Sequence, residues 1–94
     1  MLDRQHLKII AAIHDYGTLT EAAGHLHLTQ SALSHSMKKL EQHSGAPLWE
    51  KDGRRLRLTD AGNAVLNHAH RLLPQFEHTE EQLRQIASGK QGVL

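Results

Sequence analysis

The sequence predicts a mostly α-helical chain with one short β-hairpin. Three observations carry that expectation. Apolar residues recur at three- and four-residue spacing through four separate stretches, the period of a helix with one buried face. Between the third and fourth stretches the spacing changes to alternation around Asp52-Gly53, the short-range signal of a tight hairpin. The last stretch keeps its apolar period much longer than the others, as far as Ile86. A length of 94 residues leaves room for one small core.

The first helix is expected from Arg4 to Asp15, with Leu7, Ile10, Ala11 and Ile13 inward and Lys8 and Asp15 outward. Gly17 ends it, because a helix that closes in the left-handed conformation favours glycine. Thr18 or Thr20 caps the second helix, which turns Ala22, Ala23 and Leu26 inward; the small alanines let another helix approach closely. His27-Leu28 is the expected turn. Thr29 is the expected N-cap of a third helix running to about Ser44. There Leu33, Met37 and Leu40 share one face. Gly45 closes this helix and Pro47 forbids its continuation.

In the hairpin, Leu56 and Leu58 point to one face of the returning strand, and Arg55 and Arg57 to the other. Thr59-Asp60 then opens a long helix to Ser88. Val65, Ala69, Leu72, Phe76, Thr79, Leu83 and Ile86 alternate steps of four and three along it, which makes a heptad seam. Pro74 is expected to kink or split it. Ser88 to Gly92 has the composition of a flexible linker, and an apolar pair, Val93-Leu94, follows. The expected division is therefore a body at 1–58, a linker and dimerisation helix at 59–88, and a hinge at 89–94 leading toward a further domain. Two short helices joined by a tight turn, then a basic hairpin, make a winged helix-turn-helix. That arrangement puts one helix into a DNA major groove and holds the adjacent backbone with the wing.

Net charge is only +1, but the charges are segregated. From Ser31 to Leu58 there are six Lys and Arg against three Asp and Glu, a local +3. From Asp60 to Ser88 there are two against four, a local −2. A basic middle suits phosphates, and an acidic tail suits solvent or a partner. The absence of cysteine excludes a disulfide scaffold and any thiolate metal site. No apolar run is long enough to span a membrane, and Asp3-Arg4-Gln5-His6 does not fit a secretory leader. The expected location is cytoplasmic. Nine histidines raise the question of a metal. None stands four residues from another, and a pair such as His25 and His27 points to different sides of a helix. No metal and no cofactor are expected. The chain has no phosphate-cradling glycine loop and no nucleophile motif, so no enzyme is expected either.

With Leu33, Met37 and Leu40 turned inward, the third helix presents Ser31, Ser34, His35, Lys38 and Gln42 outward. Gln30 lies at the N-terminal end, which reaches base edges in helix-turn-helix proteins. Glutamine can bond an adenine edge twice, serine can bond any base, and lysine suits guanine or phosphate. Lys39 flanks this face and is expected on a phosphate. Arg54 and Arg55 at the hairpin tip suit the backbone or a narrow minor groove. The starts of the second and third helices, at Thr20 and Thr29, can offer backbone N–H groups to phosphates. A small trihelical body cannot cover so long a last helix, so the seam is expected to join two copies, burying Val65, Ala69, Leu72, Phe76 and Leu83. The competing reading is a helical interaction module without a DNA role, which leaves the hairpin arginines without a purpose.

The runs GTLTEAAGHLHLTQSALSHSMKKLE and GAPLWEKDGRRLRLTDAGNAVL, in this order and without gaps, resemble the N-terminal DNA-binding domain of the LysR-type transcriptional regulators. The resembling block covers Leu7 to Leu73. TQSALSH is similar to the methionine-biosynthesis regulators within that family. The resemblance implies a winged helix-turn-helix, a dimer-forming linker helix, an effector-binding domain after Gly92, and a bacterial protein that acts as a dimer or tetramer on double-stranded DNA. It carries the family's DNA-contacting positions onto Gln30, Ser31, Ser34, His35 and Lys38, with Arg54 and Arg55 in the wing. Thr29 stands where Ser or Thr is usual. The sequence departs from the pattern at Ser31, where proline is common, at His35, where arginine is common, and at Trp49, where phenylalanine is common. Trp49 is a packing change. His35 removes a fixed charge from the reading face.

Overall fold

The computed structural model describes residues 2–89; the expected hinge, apart from Gly89, lies outside them. The elements are α1 (Arg4–Tyr16), α2 (Leu19–Leu26), α3 (Gln30–Ser44), β1 (Trp49–Asp52), β2 (Arg55–Leu58) and α4 (Asp60–Ser88). This is the mostly helical winged helix-turn-helix the sequence predicts.

Each helix start is satisfied by a side chain. The first amides of a helix have no partner within it and need one. Asp3 accepts from the His6 amide at 3.0 Å while His6 Nδ1 accepts from the Asp3 amide at 3.2 Å. Thr18, Thr29 and Thr59 each accept from the amide three residues on. Thr18, not Thr20, therefore caps α2, which leaves the Thr20 hydroxyl for other work. α2 closes on His27 at φ 58°, the one left-handed non-glycine residue among those described.

The core is built around α1. Ile9, Ile10 and Ile13 are fully buried with Ala22 and Ala23 of α2, Leu33, Met37 and Leu40 of α3, Leu48, and Leu66 of α4. One inward stripe was expected on α1, but Ile9 and Ala12 are buried too, and Ala11 only partly. The reason is α4, which packs along α1 more extensively than any other pair of helices in the domain. α1 is thus covered from two sides.

The same packing corrects the expected dimer seam. Ala69 has no exposed surface in the single chain, and Val65 packs against the chain's own core. Leu72 is half-buried. Phe76, Leu83 and Ile86 remain 41%, 60% and 66% exposed, so the uncommitted apolar surface starts later than the spacing suggested. Pro74 lies inside α4 without ending it. Contacts to α1 hold the helix on both sides of it: His70 meets His14 edge to face, and beyond the proline Glu80 pairs with Arg4 at 2.6 and 2.8 Å. At about 1.5 Å per residue α4 runs some 43 Å, which accounts for most of the molecule's 52 Å long axis.

Trp49 pairs with Leu58 and Asp52 with Arg55. Gly53-Arg54 is therefore the two-residue loop of the wing, with Gly53 at φ 65°, as such loops demand.

Candidate nucleic-acid interface

The amphipathic spacing of α3 is realised in full. Leu33, Met37 and Leu40 are at most 1% exposed. On the other side Gln30, Ser31, His35, Lys38 and Lys39 are exposed and Ser34 is half-buried. Thr29 is committed as the N-cap, accepting from the Ala32 amide at 3.0 Å. The polar face of α3 is anchored from behind by Glu41, whose carboxylate accepts from the Leu48 amide at 2.7 Å. That bond fixes the loop between α3 and the wing. The sequence offered no signal for it, because Glu41 looked like one more surface charge.

The hairpin arginines divide into three roles. Arg54 projects from the loop and makes no ion pair among the described residues. Arg55, expected beside it as a free cation, is turned back onto the body. Its guanidinium lies over Gly17, where a Cβ would overlap it, and donates to the Tyr16 carbonyl at 3.5 Å. Next to it the Leu56 amide donates to the Gly17 carbonyl at 2.8 Å. Arg55 thus ties the wing to the end of α1. Arg57 faces Glu50 across the hairpin and bonds it at 2.6 Å; that hydrogen bond, with the charges of Glu50 and Asp52, raises its pKa further. Alternation placed Arg55 and Arg57 on the outer face correctly but could not say what they meet.

One side chain enters the surface that spacing did not single out as a contact, that of Lys51. Lys51 and Arg54 of the wing line an open cleft whose other wall is Thr18, Leu19 and Thr20 at the start of α2. Thr20 also touches α3, for its hydroxyl accepts from Gln30 Nε2 at 2.8 Å. One continuous surface therefore runs from the N-terminal end of α3, across the start of α2, to the wing. Its cations Lys38, Lys39, Lys51 and Arg54 have no carboxylate partner among the described residues. At the acidic end of α4, Arg84 bonds Glu81 at 2.6 Å and lowers its pKa. No cluster of three or more His, Asp or Glu among the described residues could hold a metal ion. No described helix is long and apolar enough to cross a membrane.

Three helices around one core, a two-stranded wing and a long fourth helix define a winged helix-turn-helix domain. Residues 4–63 match the bacterial regulatory helix-turn-helix proteins of the lysR family, and the chain belongs to that family. It is 37% identical over 93 residues to the transcriptional regulator MetR of Haemophilus influenzae, covering 99% of this chain and 30% of that protein. To MetR of Escherichia coli it is 43% identical over 76 residues, 81% of this chain and 24% of the relative. The chain thus spans under a third of the length of these curated relatives. Among solved structures it superposes on a CbnR_DBD–DNA complex with TM-score 0.76 and 31% identity, covering 92% of this chain and 99% of that one. With a BenM_DBD/catB site 1 DNA complex the TM-score is 0.81 at 28% identity, with 94% and 98% covered. These relatives are transcriptional regulators, not enzymes, and this chain is a helix-turn-helix domain of that kind.

Proposed function

We propose that this domain binds double-stranded DNA sequence-specifically, with α3 in the major groove and the wing on the flanking backbone. Gln30, Ser31, Ser34 and His35 read base edges. Thr29, Lys38, Lys39 and Arg54 take phosphates, and Arg55 holds the wing in place. Residues 1–58 form the reading body and 59–88 the helix that joins two copies into a homodimer on an interrupted inverted repeat. In a full-length protein an effector-binding domain follows, the dimers can pair into tetramers, and the protein works in the cytoplasm on the chromosome. The observation that carries the reading is the surface from Gln30 to Arg54, whose cations have no carboxylate partner among the described residues, set opposite a face of α3 that is wholly buried. The DNA complexes of CbnR_DBD and BenM_DBD, which share this fold, support it.

A gel-shift titration against salt tests it. Each neutralised phosphate contributes about −0.9 to the slope of log K against log salt. Arg54→Ala is expected to weaken every duplex to a similar degree and reduce that slope by roughly one unit. An unchanged affinity and slope would remove the wing tip from the backbone. Gln30→Ala is expected to cost roughly 1–3 kcal/mol on the best site and less on random DNA; an equal loss on both would make Gln30 a phosphate contact. Wild-type domain with no salt-dependent shift at all would leave a helical interaction module instead.

A further inference from the structure

We propose that Thr20 is a positioning residue for base selection: its hydrogen bond sets the Gln30 amide to prefer adenine over guanine. The inference rests on the DNA-binding reading and goes one step past it.

The geometry is local and specific. Thr20 is the second residue of α2, and its hydroxyl is not needed as a cap because Thr18 supplies that bond. Gln30 is the first residue of α3. Gln30 Nε2 donates one of its two protons to Thr20 Oγ1 at 2.8 Å. The second amide proton and the Oε1 acceptor remain. Adenine presents an acceptor, N7, beside a donor, the N6 amine. One remaining N–H and one C=O match that pair, so all three bonds of the Gln30 amide are made at once. Guanine presents two acceptors, N7 and O6. To satisfy both, Gln30 must turn both amide protons toward the base and break the bond to Thr20. Otherwise Oε1 faces O6, two acceptors in contact. The Thr20 bond therefore penalises guanine without touching it.

Thr20 also lines the wing cleft with Lys51 and Arg54. Its oxygen accepts from Gln30 and its own proton is left to donate, toward a backbone phosphate held by those two cations. A bond this exposed contributes little in water. Once the groove excludes water, leaving an amide proton unpaired becomes costly.

The test uses the 94-residue chain and duplexes carrying the best site selected from a random library, plus every single base-pair substitution of it. The pair whose penalty disappears in Gln30→Ala is the one Gln30 reads. At that pair Thr20→Val, which keeps the shape and removes the hydroxyl, is expected to lower the adenine-over-guanine preference by roughly threefold to tenfold. Penalties at other pairs should stay the same. Thr20→Ser should retain the preference. In a Gln30→Ala background Thr20→Val should leave it unaltered. Thr20→Val weakening all duplexes by one common factor would make Thr20 a backbone contact only and overturn the proposal. So would a loss of preference that persists without Gln30, or the absence of any pair assigned to Gln30. Absence of sequence-dependent binding by the unaltered chain would sink the DNA-binding reading itself, a distinct result.

Discussion

Gly62→Ala is expected to lower the stability of the domain by about 2–3 kcal/mol, although alanine is the better helix former by about 1 kcal/mol. Gly62 lies in the first turn of α4 and is buried. A Cβ there would overlap the carbonyl oxygen of Leu48 and stand 3.1 Å from Leu58 Cβ. Neither neighbour can yield cheaply. Leu48 is 1% exposed, and its carbonyl already accepts from the Thr59 amide at 3.1 Å. The Thr59 hydroxyl in turn donates to the Pro47 carbonyl at 2.6 Å. A methyl group must therefore push the whole start of α4 off the wing, an overpacking strain of roughly 1–3 kcal/mol or more beyond the helix gain. For a domain of this size the melting temperature should fall by roughly 10–20 °C. Gly24→Ala supplies the contrast. Gly24 is helical, with nothing within 4 Å of its would-be Cβ, so the same substitution should raise stability by roughly 0.5–1 kcal/mol. Thermal unfolding followed by circular dichroism measures both. A Gly62→Ala domain that melts with the wild type would mean that α4 does not approach the wing this closely.

Phe76→Asp is expected to separate the proposed dimer and abolish simultaneous binding of two half-sites. One recognition helix contacts only a few bases. Two of them, about 34–36 Å apart across a two-fold axis, read successive turns of one face of the duplex. Phe76, Leu83 and Ile86 form an exposed apolar row on the part of α4 beyond the core, and an isologous contact between two copies would cover it. Arg4 sits 5.4 Å from the Phe76 ring centre but is already paired with Glu80. A carboxylate at position 76 therefore enters the interface without a dedicated partner. Burying it should raise the dimer dissociation constant by about a hundredfold or more. The body should stay folded, since Phe76 is not part of the core cluster. Light scattering and footprinting read the two consequences. Wild-type domain that stays monomeric at high micromolar concentration would remove the dimer. So would a Phe76→Asp variant that still protects both half-sites.

Much of this fold was readable in the chain because its determinants lie within a few residues of each other. Gly17 and Gly45 end helices where only a left-handed residue fits, and Thr29 and Thr59 cap at the expected positions. Asp52-Gly53 placed the hairpin, and the two-residue period put Leu56 and Leu58 on its inner face. The inward face of α3 followed from the spacing of Leu33, Met37 and Leu40. The outward face was then the remainder, which is why the candidate reading residues were legible.

What the sequence determined by itself is therefore the kind and order of the elements, and which face of α3 is polar. The tertiary structure alone decided which neighbours those faces meet. Laying α4 along α1 buried Ala69 and drew Val65 into the core, residues that the heptad period cannot tell apart from Phe76 and Leu83. Folding the wing onto the end of α1 turned Arg55 into a strut and left Arg54 without an ion pair among the described residues, though the two are adjacent and identical in type. Crossing α2 over α3 joined Thr20 to Gln30, ten residues apart. Periodicity reports a side chain's direction relative to its own backbone. Burial, pairing and charge also depend on what stands opposite, and contacts between distant segments arise only when the whole chain packs.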